Sequence, residues 1–469
     1  MLGSSSGLSD SLPYSKSTLL IGITLAASGL FLGLATGLVW MPLAIAILVA
    51  LVPFSLYVVK NPYPLLVFMT IGTYLGSLAN LIQDGLIPIS PFQLFLVATI
   101  FLFLFNRLLY SDFTFRKTGI ELELVVFLII ISVSILYSPV HMTGVINTLR
   151  MLFLIVMMYL IINLINEKWQ ISLIFGALVV VSTILAIVVM YTIVSNPQDA
   201  IRALLSDGAN ITRTSVTDID PNRFASQFLL PIAFVASIML SGMAFYYRIG
   251  TAILLLILLV GVAGTYSRSV MLAALLMLVL IALLYRQYKL FLWIIALSLA
   301  VVLIVPDLRI FAANVINRFL DIFAGSSDAS SNIRLLLGVA GINMFVDSYM
   351  IGVGFGGFPT HFTNYFTLQE SIGVNMPHNL TYKILAELGL HGFVVFMFIL
   401  WKILHTGYRN VRLSKVGLER ANSVSSFAAF IALLIFYQFY GGALFDNNFW
   451  LLVGLIFAQK HLISRRLRK

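Results

Sequence analysis

Between Arg248 and Arg268, and again between Arg268 and Arg286, no residue is charged and almost every one is apolar. About 20 such residues are enough for a helix to cross the hydrocarbon of a bilayer. The pattern recurs along the chain. Candidate spans begin near Thr18, Pro42, Pro62, Pro88, Ile120, Val145, Gln170, Phe224, Ile249, Ser269, Tyr288, Leu380, Ala421 and Phe445. That amounts to about 12–14 crossings. Backbone polar groups in lipid must be satisfied within the protein, which leaves helices as the natural answer to such runs. The expected fold is therefore all-α, a polytopic transmembrane helical bundle with a long, partly helical outer loop. The first run is too long for the core of a signal peptide and should remain as a helix.

Charge and composition narrow the function. Only 10% of the 469 residues are charged, against about 25% in soluble domains, and the mean hydropathy is +1.03. No polar stretch is long enough for a separate soluble domain. The chain has no cysteine, which excludes disulfides, thiolate metal sites and a cysteine nucleophile. The net charge of +10 would suit nucleic acid until the charges are mapped. With the N-terminus inside, most Lys and Arg fall on one side, including the stretch Lys402–Arg420, expected as a loop, and the tail Lys460–Lys469. A Lys/Arg excess marks the cytoplasmic side. Both termini are then cytoplasmic, the basic tail is topogenic, and nucleic acid is not an expected partner.

The outer side receives Arg202, Arg213, Arg223, Arg268, Arg309, Arg318 and Arg334. All are arginines, whose planar fork grips phosphate oxygens in pairs. Arg202, Arg213, Arg309 and Arg318 are read as solvated loop charges. The chain divides into N-terminal spans (residues 1–194), a core (195–404) with outer loops at 195–223 and 306–378, and C-terminal spans with the basic tail (405–469). Loops of that length are usually functional or disordered. In the second loop an apolar stripe from Leu308 to Ile322 suggests an interfacial helix. Another helix should start at Ser331 or Asn332 with Arg334 in its first turn, where anions are favoured. The glycine turn GVGFGGF follows. It satisfies G-x-G-x-x-G at Gly352, Gly354 and Gly357 but lacks the strand and βαβ setting of a nucleotide site; a flexible hinge is the expected role.

The stretch Met376–Gly392, MPHNLTYKILAELGLHG, keeps polar chemistry in an apolar run. Ionisable groups at membrane depth are costly and usually face a cavity or a partner. His378 either acts chemically or caps the following span, with Asn379 beside it. Lys383 and Glu387 are spaced to pair on one helical face or to serve a site. Arg150, alone within its span, either lines a cavity or is structural.

Four motifs in order resemble the O-antigen ligase and O-antigen polymerase family of bacterial multi-spanning glycosyltransferases. They are DPNRFASQFLLP from Asp220, TYSRSVML from Thr265, the unit running from Arg334 to the GVGFGGF turn, and PHNLTYKILAELGLHG from Pro377. The resemblance covers roughly residues 210–400. It implies a polyprenyl-diphosphate-linked glycan as donor and a saccharide or lipid-linked saccharide as acceptor, in the cytoplasmic membrane with the site facing outward. It implies that Arg268 and Arg334 bind the donor diphosphate and that His378 assists attack by the acceptor hydroxyl. Asn222, with Arg223 beside it, and Glu387 match further family positions. Asn379, Lys383 and Arg150 join them as candidate substrate contacts. The chemistry agrees: a departing diphosphate needs its charge neutralised, and arginines can do that with no metal or cofactor. A histidine near the incoming hydroxyl titrates in the useful range. A lipid-linked-glycan flippase or another transporter is the alternative. Transporters often repeat one half in the other, whereas these motifs lie in the second half alone.

Overall fold

The computed structural model describes residues 57–75, 90–110, 114–195, 220–242, 245–287, 329–362, 364–365 and 377–468. The expected spans near Thr18, Pro42 and Tyr288, the Leu308–Ile322 stripe, Arg202, Arg213, Arg309, Arg318 and most of both outer loops lie outside them. The described residues form helices and no strand. In chain order they are α1 (Tyr63–Leu75), α2 (Pro91–Tyr110), α3 (Glu121–Tyr137), α4 (His141–Leu164), α5 (Lys168–Ser195), α6 (Pro221–Ser226), α7 (Leu229–Leu240), α8 (Phe245–Gly264), α9 (Arg268–Tyr285), α10 (Ala329–Asp347), α11 (Phe358–Phe362), α12 (Leu380–Leu413), α13 (Leu418–Tyr437) and α14 (Asn447–Leu467). Eight candidate spans among the described residues are long and apolar enough to cross a membrane.

Two compact units are distinguished, one drawing on Met1–Leu65 and Val97–Thr114, the other on Leu66–Leu96 and Phe115–Lys469. In the first, Asn106 Nδ2 donates to the carbonyls of Val59 and Lys60, both at 2.9 Å. The second holds every site residue discussed below. Its inner helices are α6–α7 and α13, whose apolar windows are 89% and 78% buried. α7 packs on α13, α4 on α14 and α3 on α12. Small and polar residues let these helices approach and join. Ser425 Oγ donates to the Ala233 carbonyl (3.3 Å), Gln459 Nε2 to Ser426 Oγ (2.8 Å), and Asn410 Nδ2 to the Ile456 carbonyl (2.8 Å). On the outside, Leu122, Val125, Ile129, Val133 and Leu136 form an exposed stripe along α3. Their spacing marks one helical face, the face a bilayer would cover.

α12 carries the feature that shapes the site. Its 34 residues span about 50 Å at the helical rise, well beyond the hydrocarbon. The basic stretch expected as a loop is therefore mostly helix: Lys402, Arg409 and Arg412 extend α12, and the connection to α13 is short. Within α12 the helix breaks at Gly389 (φ 65°, ψ −166°), a backbone region open essentially to glycine alone. A Cβ there would meet the carbonyl oxygens of Met350 and Ile351 at 2.3 Å. Leu390 N–H donates to the Met350 carbonyl at 2.9 Å, Val353 N–H to Ala386 O at 2.8 Å, and Gly354 N–H to Glu387 O at 3.0 Å. The glycine turn thus plugs the break. On its other side Phe355 N–H donates to Ser134 Oγ (3.2 Å) and Ser138 Oγ to the Phe355 carbonyl (3.2 Å). Phe355 and Phe358 are fully buried. The expectation of a flexible hinge is corrected: three left-handed glycines, Gly352, Gly354 and Gly356, let this turn bond closely to two helices.

Candidate active site

α6 begins with a cap the sequence spells out. The Asp220 carboxylate accepts the N–H groups of Asn222 (2.9 Å) and Arg223 (3.1 Å), and Pro221 takes the first helical position, where a missing N–H costs nothing. Asn222 Oδ1 accepts from Ser267 Oγ at 2.8 Å, tying α6 to the corner before α9. At that corner the buried Tyr266 adopts φ 53°, a strained choice for a bulky residue. Arg268 follows as the first residue of α9, half-buried. Asn222 holds this corner in place.

Arg334 lies on α10, which packs on α12 through a core containing Leu337, Met344, Phe358 and Ala386. The helix begins at Ala329, so Arg334 falls in the second turn and not in the first. At the start of α12 Asn379 is the cap: its Oδ1 accepts Tyr382 N–H at 3.0 Å and its Nδ2 donates to the Gln438 carbonyl at 3.0 Å. Capping is therefore the work of Asn379, and His378 is relieved of it. Burial, followed by the positive charge of Arg334, pushes the His378 imidazole below its ordinary value, with Asp220 acting against them. Burial and Arg334 together favour the neutral imidazole.

Lys383 and Glu387 do not form the direct ion pair their spacing allows. The Glu387 carboxylate accepts the backbone N–H groups of Gly356 and Phe358 from the glycine turn, while Lys383 remains an electrostatic neighbour. Lys383 Nζ stands 4.8 Å over the Phe445 ring, a cation–π contact of the desolvated kind. Both side chains are buried.

These elements surround a cavity of about 240 Å³. Thr143, Asn147 and Arg150 line it from one face of α4, and Arg223 from α6. Gly356 and Pro359 come from the turn, Lys383 and Glu387 from α12, and Tyr440, Gly442, Phe445 and Asp446 from the connection between α13 and α14. Three cations thus face one space. Asp446 is buried beside Arg223, which opposes the upward push of burial on its carboxyl, as does the Asn448 N–H bonded to it at 2.8 Å. Burial pushes the Tyr440 hydroxyl up to about 12, so it stays a proton donor. Gly441 makes the enclosure possible, since a Cβ there would lie 2.1 Å from the Pro377 carbonyl oxygen.

Of the residues singled out in the sequence, Arg150, Arg223, Lys383 and Glu387 line this cavity. Asn222, Asn379 and Arg268 stand at neighbouring helix starts, and His378 is electrostatically linked to Arg334 and Asp220. The sequence reading missed Asp446 and Tyr440. Asp446 carried the same signal as Glu387, a lone acid within an apolar run, and the Asp-Asn-Asn order around it is a helix-start pattern. Among the described residues no group of three or more His, Asp or Glu could hold a metal ion.

Residues 253–397 match the family model described as O-antigen ligase. No curated protein matches the chain. The matched segment includes Arg268, Arg334, His378, Lys383, Glu387 and the glycine turn; Arg150, Arg223, Tyr440 and Asp446 lie outside it.

Proposed function

We propose, taking the O-antigen ligase domain at residues 253–397 as the mark of a polytopic membrane glycosyltransferase, that the chain moves a glycan from a polyprenyl-diphosphate carrier to an acceptor saccharide hydroxyl on the outer face of the cytoplasmic membrane. Polymerase and ligase differ in this scheme only in the acceptor. The observation that carries the reading is the convergence of Arg150, Arg223 and Lys383 on one cavity, with His378 and Arg334 close enough to interact. Cations in a water-poor site stabilise a departing diphosphate far better than they would in water. A volume of about 240 Å³ lies just below the usual range of about 300–1,000 Å³ for small-molecule pockets. It suits a diphosphate with part of one sugar, while the rest of the glycan extends out of it.

In this scheme the acceptor hydroxyl attacks the anomeric carbon of the donor. The hydroxyl proton passes to neutral His378, the carbon–oxygen bond to the diphosphate breaks, and the arginines take up the charge on the departing diphosphate. Arg268 and Arg334 serve as diphosphate ligands beside the cavity cations. Glu387 holds the glycine turn in place and with it the cavity wall formed by Gly356 and Pro359. Against the flippase alternative, the four motifs lie in the second half of the sequence alone, whereas transporters often repeat one half in the other. Transfer assayed with purified protein, lipid-linked donor and acceptor tests the proposal. Arg268→Lys and Arg334→Lys should lose most transfer, because lysine keeps the charge but loses the fork. Full activity of both variants would remove the diphosphate role of these arginines.

A further inference from the structure

The far end of the same helices holds a second cavity, of about 270 Å³. Its walls are the segment before α3, the last turns of α12 and the last turns of α14. Every charged side chain lining it is basic: Lys402, Arg409 and Lys460, with His405 among them. Two of these are fixed by the protein. Lys402 Nζ donates to the Gly119 carbonyl (2.9 Å) and pairs with Glu123 (2.6 Å); Lys460 Nζ donates to the Thr118 carbonyl (2.6 Å). Glu121, an electrostatic neighbour of Lys460, is already engaged by Thr118 and by Gly119 N–H. Arg409 is exposed and forms no ion pair among the described residues, yet it and Lys402 both act on Lys460 as like charges. An anion in this space would relieve that repulsion.

An apolar strip leads into the cavity from the side. Val394, Phe398 and Trp401 follow one face of α12 and are about half exposed. The Phe398 and Trp401 rings stack at 5.4 Å, and Trp401 stacks on His405 at 5.7 Å. Tryptophan favours the membrane–water boundary, and basic pockets between helices suit lipid phosphates. We propose that this cavity binds the phosphate of an acidic phospholipid, with its acyl chains along the Val394–Trp401 strip. The strip favours a lipid over free phosphate, because a soluble anion gains nothing from it. The site is independent of the glycan-transfer reading, and it faces the inner leaflet if the basic end is cytoplasmic.

Native mass spectrometry of the purified full-length chain, titrated with phosphatidylglycerol or phosphatidylcholine, tests the site with no reference to transfer. One phosphatidylglycerol should be retained in preference to phosphatidylcholine. Arg409→Gln should weaken that retention about fivefold, the scale of one basic side chain near a lipid surface. Lys415→Gln, exposed and outside the cavity, should leave it unchanged. Ser464→Glu, which adds an acid to the same cavity, gives a second reading that does not depend on the Arg409 variant. Trp401→Ala should weaken lipid retention but not competition by inorganic phosphate. Equal retention of the two lipids, or retention indifferent to both Arg409→Gln and Ser464→Glu, would overturn the proposal. Phosphate binding with no lipid preference would make the cavity a free-anion site and overturn the lipid assignment.

Discussion

Gly389→Ala is the sharpest test of how the site is built. The substitution adds one methyl group at a backbone conformation that alanine avoids. The methyl would lie 2.3 Å from two carbonyl oxygens of the glycine turn. Holding a non-glycine residue in this region costs about 1–3 kcal/mol, and forcing extra volume into a packed interior costs about 1–3 kcal/mol more. The obstructing atoms are backbone, so no side chain can swing away, and the expected total is about 2–6 kcal/mol. Relief requires the turn to leave α12, which removes two N–H donors from Glu387. Gly250→Ala is the control, because a Cβ there meets nothing within 4 Å and a helical alanine gains up to about 1 kcal/mol. Thermal unfolding of the detergent-purified protein, read by tryptophan fluorescence, should show a clear fall for Gly389→Ala and none for Gly250→Ala. Proteolysis within the turn should rise in parallel. Equal unfolding midpoints for wild type and Gly389→Ala would refute the plugged-break account.

Three further outcomes follow from the geometry. Arg223→Ala removes the positive charge that opposes the burial of the Asp446 carboxyl and, since the two form no direct ion pair, should cost only about 1 kcal/mol; adding Asp446→Asn should recover that stability in the unfolding assay, but not transfer. If His378 is the base, His378→Gln should lower the transfer rate by about 10²–10⁴-fold. Its neutral form is the active one, so the acid limb of the wild-type rate profile should lie below the ordinary value of 6.5; residual transfer by Arg334→Gln should show that limb moved to higher pH, since Arg334 helps to hold the imidazole down. Cysteines introduced into this cysteine-free chain at Tyr349 and Val416, 88% and 83% exposed, should report opposite sides: an impermeant thiol reagent should label the first in intact cells or spheroplasts and the second only after lysis.

The bundle was legible because its cause is local. Apolar runs of spanning length leave the backbone few options, and the starts of α4, α7, α9, α12 and α13 fall within a few residues of those expected. Polar residues inside such runs are equally visible, so Arg150, Lys383 and Glu387 stood out before any geometry was known. Long-range consequences were hidden. The spacing of Lys383 and Glu387 suggests a pair, but it cannot show that turn amides more than twenty residues upstream compete for the carboxylate. The glycine turn read as a hinge because glycine permits flexibility and close packing alike, and only its neighbours decide between them. Asp446 escaped attention for a related reason: the charge that acts on it, Arg223, is more than two hundred residues away. The cap at Asn379 was within reach of the sequence, since asparagine is a better cap than histidine.

Transfer as proposed depends on a diphosphate-linked glycan being held by the cations of the first cavity. A structure of the purified protein with a polyprenyl-diphosphate glycan bound tests it most directly. Diphosphate density should lie against Arg150, Arg223 and Lys383, with Arg268 and Arg334 closing on it and His378 beside the anomeric carbon. Density running through the bundle from one end to the other, with the diphosphate away from these side chains, would contradict it and favour a lipid-linked-glycan flippase.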